Sequence, residues 1–578
     1  MNPEPITLKS CPKAPGQTLD KAVQPQETIA RVKEILRTSG MDILADSRRI
    51  DAGRLGIPVY LGICGTDAKA VMPVRKQMGK GASAAQAEAS AIMELMERFA
   101  FFSFWQNLSD KDKLKWQDAK KRFGDSLISV EEILESVQDR LEPDKAEELL
   151  DLVTWQFYPA TDLANNRIVW LPLDWFRMLG EFNGSSAGNT NEESLMQGVA
   201  ELVERHVSCI ASSQRKSLPT IDPQTCTDPV LHELLQKFSK CGIQLILKDM
   251  SLGMPLPTVG AIAWDPATFP AESEIVFTAG TATSPAKAAI RALTEIAQLG
   301  GDFCTNSCYE ASGLPKFTKL DEFGWLLNGP SISLHSLPSM EHNDIYDELQ
   351  GTIAKLLPTH VYAVETSHPE LGIPAHYCIA PGMQFRERDK NQSLGLFIGR
   401  KLIEDEEPDV AEAGLKSLAR IYGNAHFIPF FEGMLYLRKN DPEKAALTFE
   451  KAVNTQPDAD ARALTAFYAA HSWAQLQTWQ KAIPNLQKAL EYNADLKEAH
   501  NLLGVAWFKT GEYAKAEQAF DAALKIDKGS AIDLANRGMA RKQLGNSTQA
   551  IADFESALIL DPTLEFAKTN LAELRNTL

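Results

Sequence analysis

The last third of the chain repeats itself at an interval of about 34 residues, and this limits its possible folds severely. From Ala425 onward, small and aromatic residues recur in register through four units. The third unit carries Gly504 and Trp507 in its first half and Phe520 in its second. Two antiparallel helices approach closely where Gly or Ala replaces a larger side chain and an aromatic ring fills the gap. The repeat therefore predicts an all-α solenoid of helix pairs.

This pattern resembles the tetratricopeptide repeat (TPR). We assign residues 426–578 to a domain of four such repeats and a capping helix, because residues 564–578 continue the helical period beyond the fourth repeat. Arrays of this kind bind peptides or protein subunits on their concave side. The alternative, equally open here, is that the helices only pack on the rest of the chain or mediate dimerisation.

Length and charge narrow the class of protein. A chain of 578 residues is expected to form at least two domains. The formal net charge of -17 disfavours nucleic acid and anionic lipid surfaces as partners. The sequence shows no run of about 18 apolar residues and no signal-peptide pattern near its start. We therefore expect a cytoplasmic protein with no membrane association.

The region before the repeats alternates apolar runs with helical stretches, which predicts an α+β domain. Its predicted strands are IPVYLGI, RIVWLPL, IQLILKDM, TVGAIAW and HVYAVE. We expect an N-terminal extension over residues 1–25, the α+β domain over 26–403 and a linker helix over 404–425. The acidic start of this linker is typical of an exposed boundary.

Three predicted helices of this domain carry carboxylates at helical spacing. They are GKGASAAQAEASAIMELMERFAFF, GSSAGNTNEESLMQGVAELVERHVSCI and SPAKAAIRALTEIAQLGGDF. The acidic and amide residues of interest are Glu94 and Glu97 in the first, Glu193, Gln197, Glu201 and Glu204 in the second, and Glu295 and Gln298 in the third. Within each helix, spacings of three and four place these side chains on one face.

Taken singly, each helix has an ordinary explanation, because i,i+4 pairs such as Glu201 with Arg205 are common on solvated helices. The joint pattern favours a site. MELMERF in the first helix recurs as AELVERH in the second, and small or apolar residues flank the carboxylates, which indicates burial. Buried carboxylates that converge repel one another unless cations neutralise them. Mg²⁺ is the cation that best fits oxygen ligands shared with phosphates.

Basic and polar residues near these helices could form a phosphate-binding side of the same site. They are Lys80 in GKGAS, Arg205, Arg291, and Ser186 and Asn189 in the SSAGNT turn. The chain contains neither a P-loop nor a dinucleotide-binding fingerprint, so a nucleotide site here would be of another kind. Taken alone, SSAGNT is also explained as a helix N-cap and GKG as a flexible turn.

The three motifs, in this order and over roughly residues 25 to 400, resemble the YcaO family. The resemblance implies that ATP phosphates contact Lys80, Ser186, Asn189, Arg205 and Arg291. It implies that Glu94, Glu97, Glu193, Glu201, Glu204 and Glu295 hold Mg²⁺ directly or through water, with Gln197 and Gln298 in support. A homodimer is expected by the same resemblance.

Family resemblance also implies a reaction, in which ATP phosphorylates a backbone amide oxygen of a protein or peptide. The product is an azoline, a thioamide or an amidine, depending on the nucleophile. Because this chain continues into helical repeats rather than ending in a proline-rich tail, it looks closer to the stand-alone members linked to ribosomal-protein methylthiolation than to azoline-forming cyclodehydratases. The alternatives left open are a non-catalytic ATP-binding adaptor whose repeats scaffold a partner, and a ligase that releases AMP.

Overall fold

The computed structural model describes residues 3–16, 21–303, 314–385 and 392–577. The chain divides into two compact units. The first comprises Met1–Pro143 and Thr154–Lys390, and the second comprises Asp144–Val153 and Asn391–Leu578. The second unit begins earlier than the predicted boundary after residue 403. The reason lies in helix Leu394–Asp405, whose Gly395 and Gly399 lie against the aromatic rings of Tyr422 and Phe431 in the second unit.

The described residues contain 14 strands and 23 α-helices. The strands are β1 (Leu44–Arg49), β2 (Val59–Cys64), β3 (Lys76–Lys80), β4 (Lys113–Lys115), β5 (Thr154–Asp162), β6 (Arg167–Pro172), β7 (Ser185–Ala187), β8 (Thr220–Ile221), β9 (Gln244–Asp249), β10 (Thr258–Trp264), β11 (Val276–Thr281), β12 (Ser331–Ile332), β13 (Tyr362–Glu365) and β14 (Ala375–Ile379). All of them lie in the first unit.

The helices up to residue 356 are α1 (Pro25–Ser39), α2 (Thr66–Val71), α3 (Ala84–Gln106), α4 (Trp116–Phe123), α5 (Val130–Ser136), α6 (Pro143–Leu150), α7 (Leu173–Gly180), α8 (Asn191–Gln214), α9 (Pro229–Lys240), α10 (Pro285–Gly300), α11 (Gly324–Leu327) and α12 (Ile345–Leu356). The later helices are α13 (Leu394–Asp405), α14 (Pro408–Tyr422), α15 (Phe427–Arg438), α16 (Pro442–Ala452), α17 (Ala459–Gln475), α18 (Trp479–Tyr492), α19 (Lys497–Lys509), α20 (Tyr513–Ile526), α21 (Ala531–Gln543), α22 (Ser547–Leu560) and α23 (Glu565–Thr577). Across the described ranges, no helix combines the length and the hydropathy needed to cross a bilayer.

Three sheets with helices packed on them make up the first unit, which confirms the predicted α+β class. Their strand orders are β1-β2-β3, β11-β10-β9-β8-β12 and β4-β5-β13-β14-β7, with β6 paired to β5. The pairing is antiparallel throughout except between β8 and β12. The five predicted strands appear as β2, β6, β9, β10 and β13.

Each of the three carboxylate-bearing helices follows an edge strand of a different sheet. β3 leads into α3, β7 into α8 and β11 into α10. Helix and strand approach closely because glycines remove the side chain between them. A Cβ on Gly79 would lie 2.1 Å from the backbone nitrogen of Ala91, and a Cβ on Gly280 would lie 2.4 Å from the backbone oxygen of Ala288. The three helices therefore meet where the edges of the three sheets converge.

The first two helices begin several residues later than their sequence motifs. Gly79 and Lys80 of GKG end β3, the letters SSA form the whole of β7, and the helices start after the N-caps Ser83 and Thr190. Ser83 and Gln86 form a capping box, and the Thr190 hydroxyl accepts a hydrogen bond from the Glu193 backbone N–H. The predicted SSAGNT turn is thus a short strand followed by a capped helix start.

The C-terminal helices of the second unit form four antiparallel pairs, α15 to α22, followed by α23. In three of the pairs a glycine of the first helix faces a phenylalanine ring of the second: Gly433 with Phe449, Gly504 with Phe520, and Gly538 with Phe554. α23 covers the last pair with Ala567, Leu571 and Leu574. This arrangement confirms the predicted all-α repeat solenoid.

A charged network links the third and fourth pairs. Arg537 of α21 donates to Asp521 of α20 at 2.6 Å and to both carboxylate oxygens of Asp553 of α22 at 2.6 and 3.0 Å. Arg541 reaches Asp553 at 2.9 Å and Glu517 at 2.7 Å. The side chain of Asp553 is only 5% exposed, so its charge depends on these two guanidinium groups.

We expect Gly504→Ala to destabilise the repeat unit by about 1–3 kcal/mol, because the new methyl would lie 2.6 Å from the Phe520 ring. Urea unfolding followed by circular dichroism would measure the loss. Gly529→Ala serves as the matched control, since its Cβ would meet only the Asp527 carboxylate at 3.4 Å. Phe520→Leu combined with Gly504→Ala should recover part of the loss. If the glycine variant and its control unfold alike, close packing at Gly504 does not limit stability.

Candidate active site

A cavity of about 390 Å³ lies in the first unit between α3, α8 and α10. Its volume is within the range of roughly 300–1,000 Å³ typical of small-molecule sites. Twelve of the thirteen predicted site residues line it: Lys80, Glu94, Glu97, Asn189, Glu193, Gln197, Glu201, Glu204, Arg205, Arg291, Glu295 and Gln298. The structure therefore brings the three sequence motifs into one cavity. What each residue binds there stays a prediction.

Ser186 is the predicted residue that does not line the cavity. It is fully buried in β7, and its hydroxyl lies 3.2 Å from the Ser194 hydroxyl. Ser194 also accepts or donates at 2.9 Å with His376 Nδ1 and donates to the Ser186 carbonyl at 3.1 Å. The cause is the strand geometry of SSA, because pairing with β14 directs Ser186 into the domain interior rather than into an anion-binding turn.

The α10 side of the cavity carries two cationic side chains, Lys80 and Arg291, and the carboxylate of Glu295. Lys80 Nζ donates to Glu295 Oε2 at 2.6 Å, and Arg291 donates to Gln197 Oε1 at 3.0 Å. Burial opposes the ionisation of Glu295, but the Lys80 ammonium and its hydrogen bond, together with Arg205 and Arg291, lower the pKa of this carboxyl. Glu295 is therefore a stable anion in the absence of ligand.

For three other carboxyl groups of the cavity, burial makes the ionised form costly. Burial raises the pKa of Glu97 to about 8, and the charges of Glu201 and Glu94 add to this against the attraction of Arg98. The pKa of Glu94 is raised as well, again chiefly by burial. Burial and the nearby Glu295 raise the pKa of Glu204 to about 7. These carboxyl groups would ionise fully once cations enter the cavity.

Neighbouring elements hold two of these carboxylates in place. Glu97 Oε1 accepts from the Ser185 hydroxyl at 2.8 Å and lies 3.2 Å from the Arg98 guanidinium. Arg98 in turn donates to Ser185 at 2.9 Å. Glu204 Oε2 accepts from the Thr281 backbone N–H at 2.8 Å. Both carboxylates are thus oriented before any ligand binds.

The N-terminal segment also contributes to the cavity, which sequence reasoning missed. Lys21 and Thr28 line it. The backbone N–H of Ala22 donates to Glu193 Oε2 at 3.0 Å, and Lys21 Nζ lies 3.5 Å from Glu193 Oε1. Asn189 donates to the same carboxylate at 3.0 Å and accepts from the Thr28 hydroxyl at 3.2 Å. Nothing in the local sequence around Lys21 marks it, because its proximity to α8 arises from tertiary structure alone.

Arg98 also lines the cavity and was not predicted as part of the site. Its spacing of four residues from Glu94 is typical of an ion pair within one helix, whereas the structure places its guanidinium 4.0 Å above the Phe182 ring and in contact with Ser185. Its side chain is 13% exposed. The recurring Glu-x-x-Glu-Arg pattern was the available signal, since Arg98 and Arg205 occupy the same place in it.

The residues of the cavity fit a nucleotide with Mg²⁺. In the described ranges, no three His, Cys, Asp or Glu side chains lie close enough to hold a metal ion by themselves. Mg²⁺ suits such a site, because it retains waters and shares ligands with substrate phosphates. Arg291 Nε is buried with no hydrogen-bond partner among the described residues, so it is available to an anion. Carboxylate oxygens and guanidinium groups thus face one another across one volume.

The raised pKa values predict how stability depends on pH. Glu97 and Glu204 have pKa values of about 8 and 7 in the folded protein against an ordinary 4.5. Their contribution to stability is therefore complete below pH 4.5 and is lost as pH rises through 7 to 8. Without ligand, the melting temperature should fall between pH 4.5 and pH 8, by about 2–4 °C for each kcal/mol of stability lost. Differential scanning fluorimetry would measure it, and Glu204→Gln should flatten the profile. An equally steep profile in that variant would contradict the assignment.

Two kinds of protein-family model match the chain. A family model described as YcaO cyclodehydratase, ATP- and Mg²⁺-binding, matches residues 78–384, just over half of the chain. The chain belongs to the YcaO family. Models of the tetratricopeptide repeat match residues 430–458, 467–531 and 534–564, so the second unit carries TPR repeats.

Individual relatives differ in how much of them the chain covers. A protein of Methanothermobacter thermautotrophicus described as uncharacterized is 24% identical over 416 residues, which are 66% of this chain and 98% of the relative. The ribosomal protein S12 methylthiotransferase accessory factor YcaO of Escherichia coli K12 is 31% identical over 110 residues, which are 19% of each chain.

Among solved structures, a heterocyclase in complex with substrate and cofactor has a TM-score of 0.51 at 19% identity. The match covers 66% of this chain and 55% of the heterocyclase. This likeness shows a shared fold. The chain thus spans about half of that protein and about a fifth of the Escherichia coli relative.

Proposed function

We propose that this chain is an ATP-dependent enzyme that binds ATP and Mg²⁺ in the cavity and activates a backbone amide of a protein or peptide. One observation carries the proposal. Six carboxylates and several cationic side chains line a single cavity, and burial there raises the pKa of Glu97 and Glu204. Such a cavity favours cations and gains from a ligand that brings both cations and phosphates. The family description names the same two ligands.

The residues divide by charge into two groups. Lys80, Arg205 and Arg291 are the cationic groups that would face phosphate oxygens, with Asn189 and Lys21 at the edge of the cavity near the N-terminal segment. The carboxylates of Glu94, Glu97, Glu201, Glu204 and Glu295 would hold Mg²⁺ directly or through water. Both oxygens of Glu193 already accept protein donors, so we propose that this residue anchors the N-terminal segment and meets the metal only through water.

Bound ATP would supply a phosphoryl group that converts an amide oxygen into a good leaving group. The chain contributes orientation and charge. Arg291 and Lys80 would stabilise negative charge on the transferring group, and the buried walls would exclude water from it. The oriented carboxylates of Glu97 and Glu204 would fix the metal positions before the substrate arrives. No side-chain nucleophile is required.

The substrate and its delivery are a further part of this proposal. We propose a thioamide- or azoline-type modification, or an accessory function in ribosomal-protein methylthiolation, in the cytoplasm. The Escherichia coli relative carries the second description in its name. The TPR repeats would bring in the protein substrate or a partner that presents it, and the enzyme would act as a homodimer.

The repeats also support a second candidate, an adaptor without catalysis. Helices α15 to α22 form four pairs and α23 packs on the last of them, and this array could scaffold a partner whatever the first unit does. Turnover separates the two candidates. An adaptor would bind nucleotide, if at all, without consuming it in the presence of any peptide.

The test is isothermal titration of ATP with Mg²⁺ into the folded protein, followed by analysis of the released nucleotide. Binding together with ADP formation supports the proposed phosphoryl transfer. AMP formation would indicate a ligase instead. Absence of binding, in protein shown to be folded by circular dichroism, would remove the enzyme proposal and favour the adaptor.

A further inference from the structure

Exposed apolar side chains collect at the C-terminal end of the repeat array. They lie at two turns, one between α20 and α21 and the other between α22 and α23. The residues are Ile526, Ile532, Ile559, Leu560 and Phe566. Ile559 is 81% exposed, and the other four are 37–51% exposed. We call these five side chains the apolar edge.

The two turns that carry the apolar edge are copies of each other. Leu560 lies 34 residues after Ile526, and Phe566 lies 34 residues after Ile532. Equivalent turns of successive helix pairs in a solenoid lie along one side of the array. The five side chains therefore share one border of the second unit, although they come from different repeats.

The repeat does not require apolar residues at these positions. In the preceding turn, between α18 and α19, the equivalent residues are Tyr492 and Glu498. Tyr492 is partly buried, with the Arg462 guanidinium 5.9 Å from its ring centroid, and Glu498 is exposed. Because a carboxylate occupies the position of Ile532 one repeat earlier, packing within the helix pair does not explain this isoleucine.

The apolar edge is large for a free surface. Each of its residues presents about 200 Å² when fully exposed, so the five together present roughly 500 Å² at their observed exposure. The largest apolar patch of a typical monomer is about 300–600 Å² and is often functional. Two copies of the edge would bury about 1,000 Å² in total, which reaches the lower limit for a specific contact between proteins.

The charges around the apolar edge are balanced. Residues 525–532 and 559–568 contain three lysines and three acids, whereas the whole chain has a net charge of -17. These charged residues are Lys525, Asp527, Lys528, Asp561, Glu565 and Lys568. An edge that bound a strongly acidic or basic partner would carry an excess of one sign. Two copies of an acidic chain repel each other at long range, so a contact between them is favoured where the local charge cancels.

We propose that the apolar edge is the contact surface for a second copy of this chain. The repetition of the turn makes the edge self-complementary. A two-fold axis between the turns would place the α20–α21 turn of one copy against the α22–α23 turn of the other. Ile526 and Leu560 would then meet twice across the contact. The inference rests on the proposed function for the existence of a homodimer, and it gives that dimer a location.

The test measures the mass of the 578-residue chain by light scattering after size-exclusion chromatography. The wild type should have twice the mass of one chain. Ile526→Lys combined with Ile559→Lys should raise the dimer Kd by about 100-fold or more, because unpaired ammonium groups would be buried in the contact. Leu447→Lys combined with Leu476→Lys is the matched control, since these leucines of the array are 43% and 41% exposed. The control should remain dimeric.

Two outcomes of this measurement contradict the proposal. A wild type that is monomeric at tens of micromolar would overturn it and leave the apolar edge to a different protein. A lysine double variant that is as dimeric as its control would overturn it as well. Circular dichroism of each variant shows that the comparison concerns folded protein.

Ionic strength gives an independent readout on the wild type. Added salt should tighten the dimer, because it screens the repulsion between two acidic chains and leaves the apolar contact in place. A dimer that weakens as salt is added would be held by ion pairs rather than by the apolar edge.

A disulfide experiment tests the two-fold arrangement without the lysine variants. Ile526→Cys protein is mixed with Leu560→Cys protein, allowed to exchange subunits, oxidised mildly and analysed on a non-reducing gel. The wild type runs alongside to account for the eight native cysteines. The mixture should give more cross-linked dimer than either variant alone, because the two positions meet only across the axis. An equal or smaller yield in the mixture would overturn this arrangement.

Titration of ATP with Mg²⁺ separates this inference from the proposed function. The cavity lies within the first unit of a single chain, so the lysine double variant should bind ATP as the wild type does. A wild type that forms the dimer but binds no ATP would remove the proposed function and keep the contact surface. A wild type that binds ATP as a monomer would remove only the inference about the apolar edge.

Discussion

Replacing Glu201 and Glu204 together by glutamine is expected to weaken the binding of ATP with Mg²⁺ by about 100-fold or more, the upper range for residues that support a metal site. These two carboxylates come from α8 and line the cavity. Glutamine keeps the side-chain volume, and its oxygen can still accept from the Thr281 N–H. The fold should therefore persist, and removing buried charge should leave stability unchanged or higher.

Isothermal titration would measure this loss, with thermal unfolding of the same samples. Glu233→Gln is the matched control, because that carboxylate is 67% exposed and pairs only with Lys237 of its own helix among the residues described. The control should bind as the wild type does. A double variant that retains wild-type affinity would mean that the nucleotide, if bound, lies elsewhere on the protein.

Gly79→Ala should be among the most damaging single substitutions in the first unit, at about 3 kcal/mol or more. Its Cβ would lie 2.1 Å from the backbone nitrogen of Ala91 and 2.4 Å from the backbone oxygen of Ala87. Backbone atoms cannot rotate away as a side chain can, so β3 would have to shift from α3. Lys80 follows Gly79 directly, and nucleotide affinity should fall with stability.

Urea unfolding gives the stability change, and titration of ATP with Mg²⁺ in low urea gives the affinity. Gly324→Ala is the control, since a Cβ there meets no atom within 4 Å. Gly280→Ala offers a second instance, because the same close approach occurs between β11 and α10. Wild-type stability in both Gly79→Ala and Gly280→Ala would show that strand and helix can separate without cost.

Much of the fold follows from local pattern. The repeat unit was predictable because glycines such as Gly504 and rings such as Phe520 recur at a fixed interval and pack within one helix pair. The cavity was predictable for a related reason. Glutamates spaced three and four apart lie on one helix face, and three such faces with small flanking residues favour a shared interior.

What the sequence left undetermined depends on contacts between distant segments. Ser186 reads as part of a turn, yet its pairing with β14, almost two hundred residues later, makes it a buried strand residue. Lys21 reaches Glu193 only through the path of the N-terminal segment. Ser185, Thr281 and Lys80 lie in strands of three different sheets, and each donates a hydrogen bond to a cavity carboxylate. No local periodicity predicts contacts of this kind.

The charged network of Arg537, Arg541 and Asp553 also bears on how such an array can evolve. Solenoids usually gain or lose modules freely, because neighbouring modules meet through interchangeable apolar faces. Here the third and fourth helix pairs meet through matched opposite charges as well as through the apolar contacts of Ala516 and Phe520 with Ala540. Deleting or transplanting the fourth pair would separate Arg537 from Asp521, and an unrelated module inserted between them would face Asp521 and Glu517 without their arginines. Ionic complementarity at this junction therefore opposes the loss or exchange of the fourth pair.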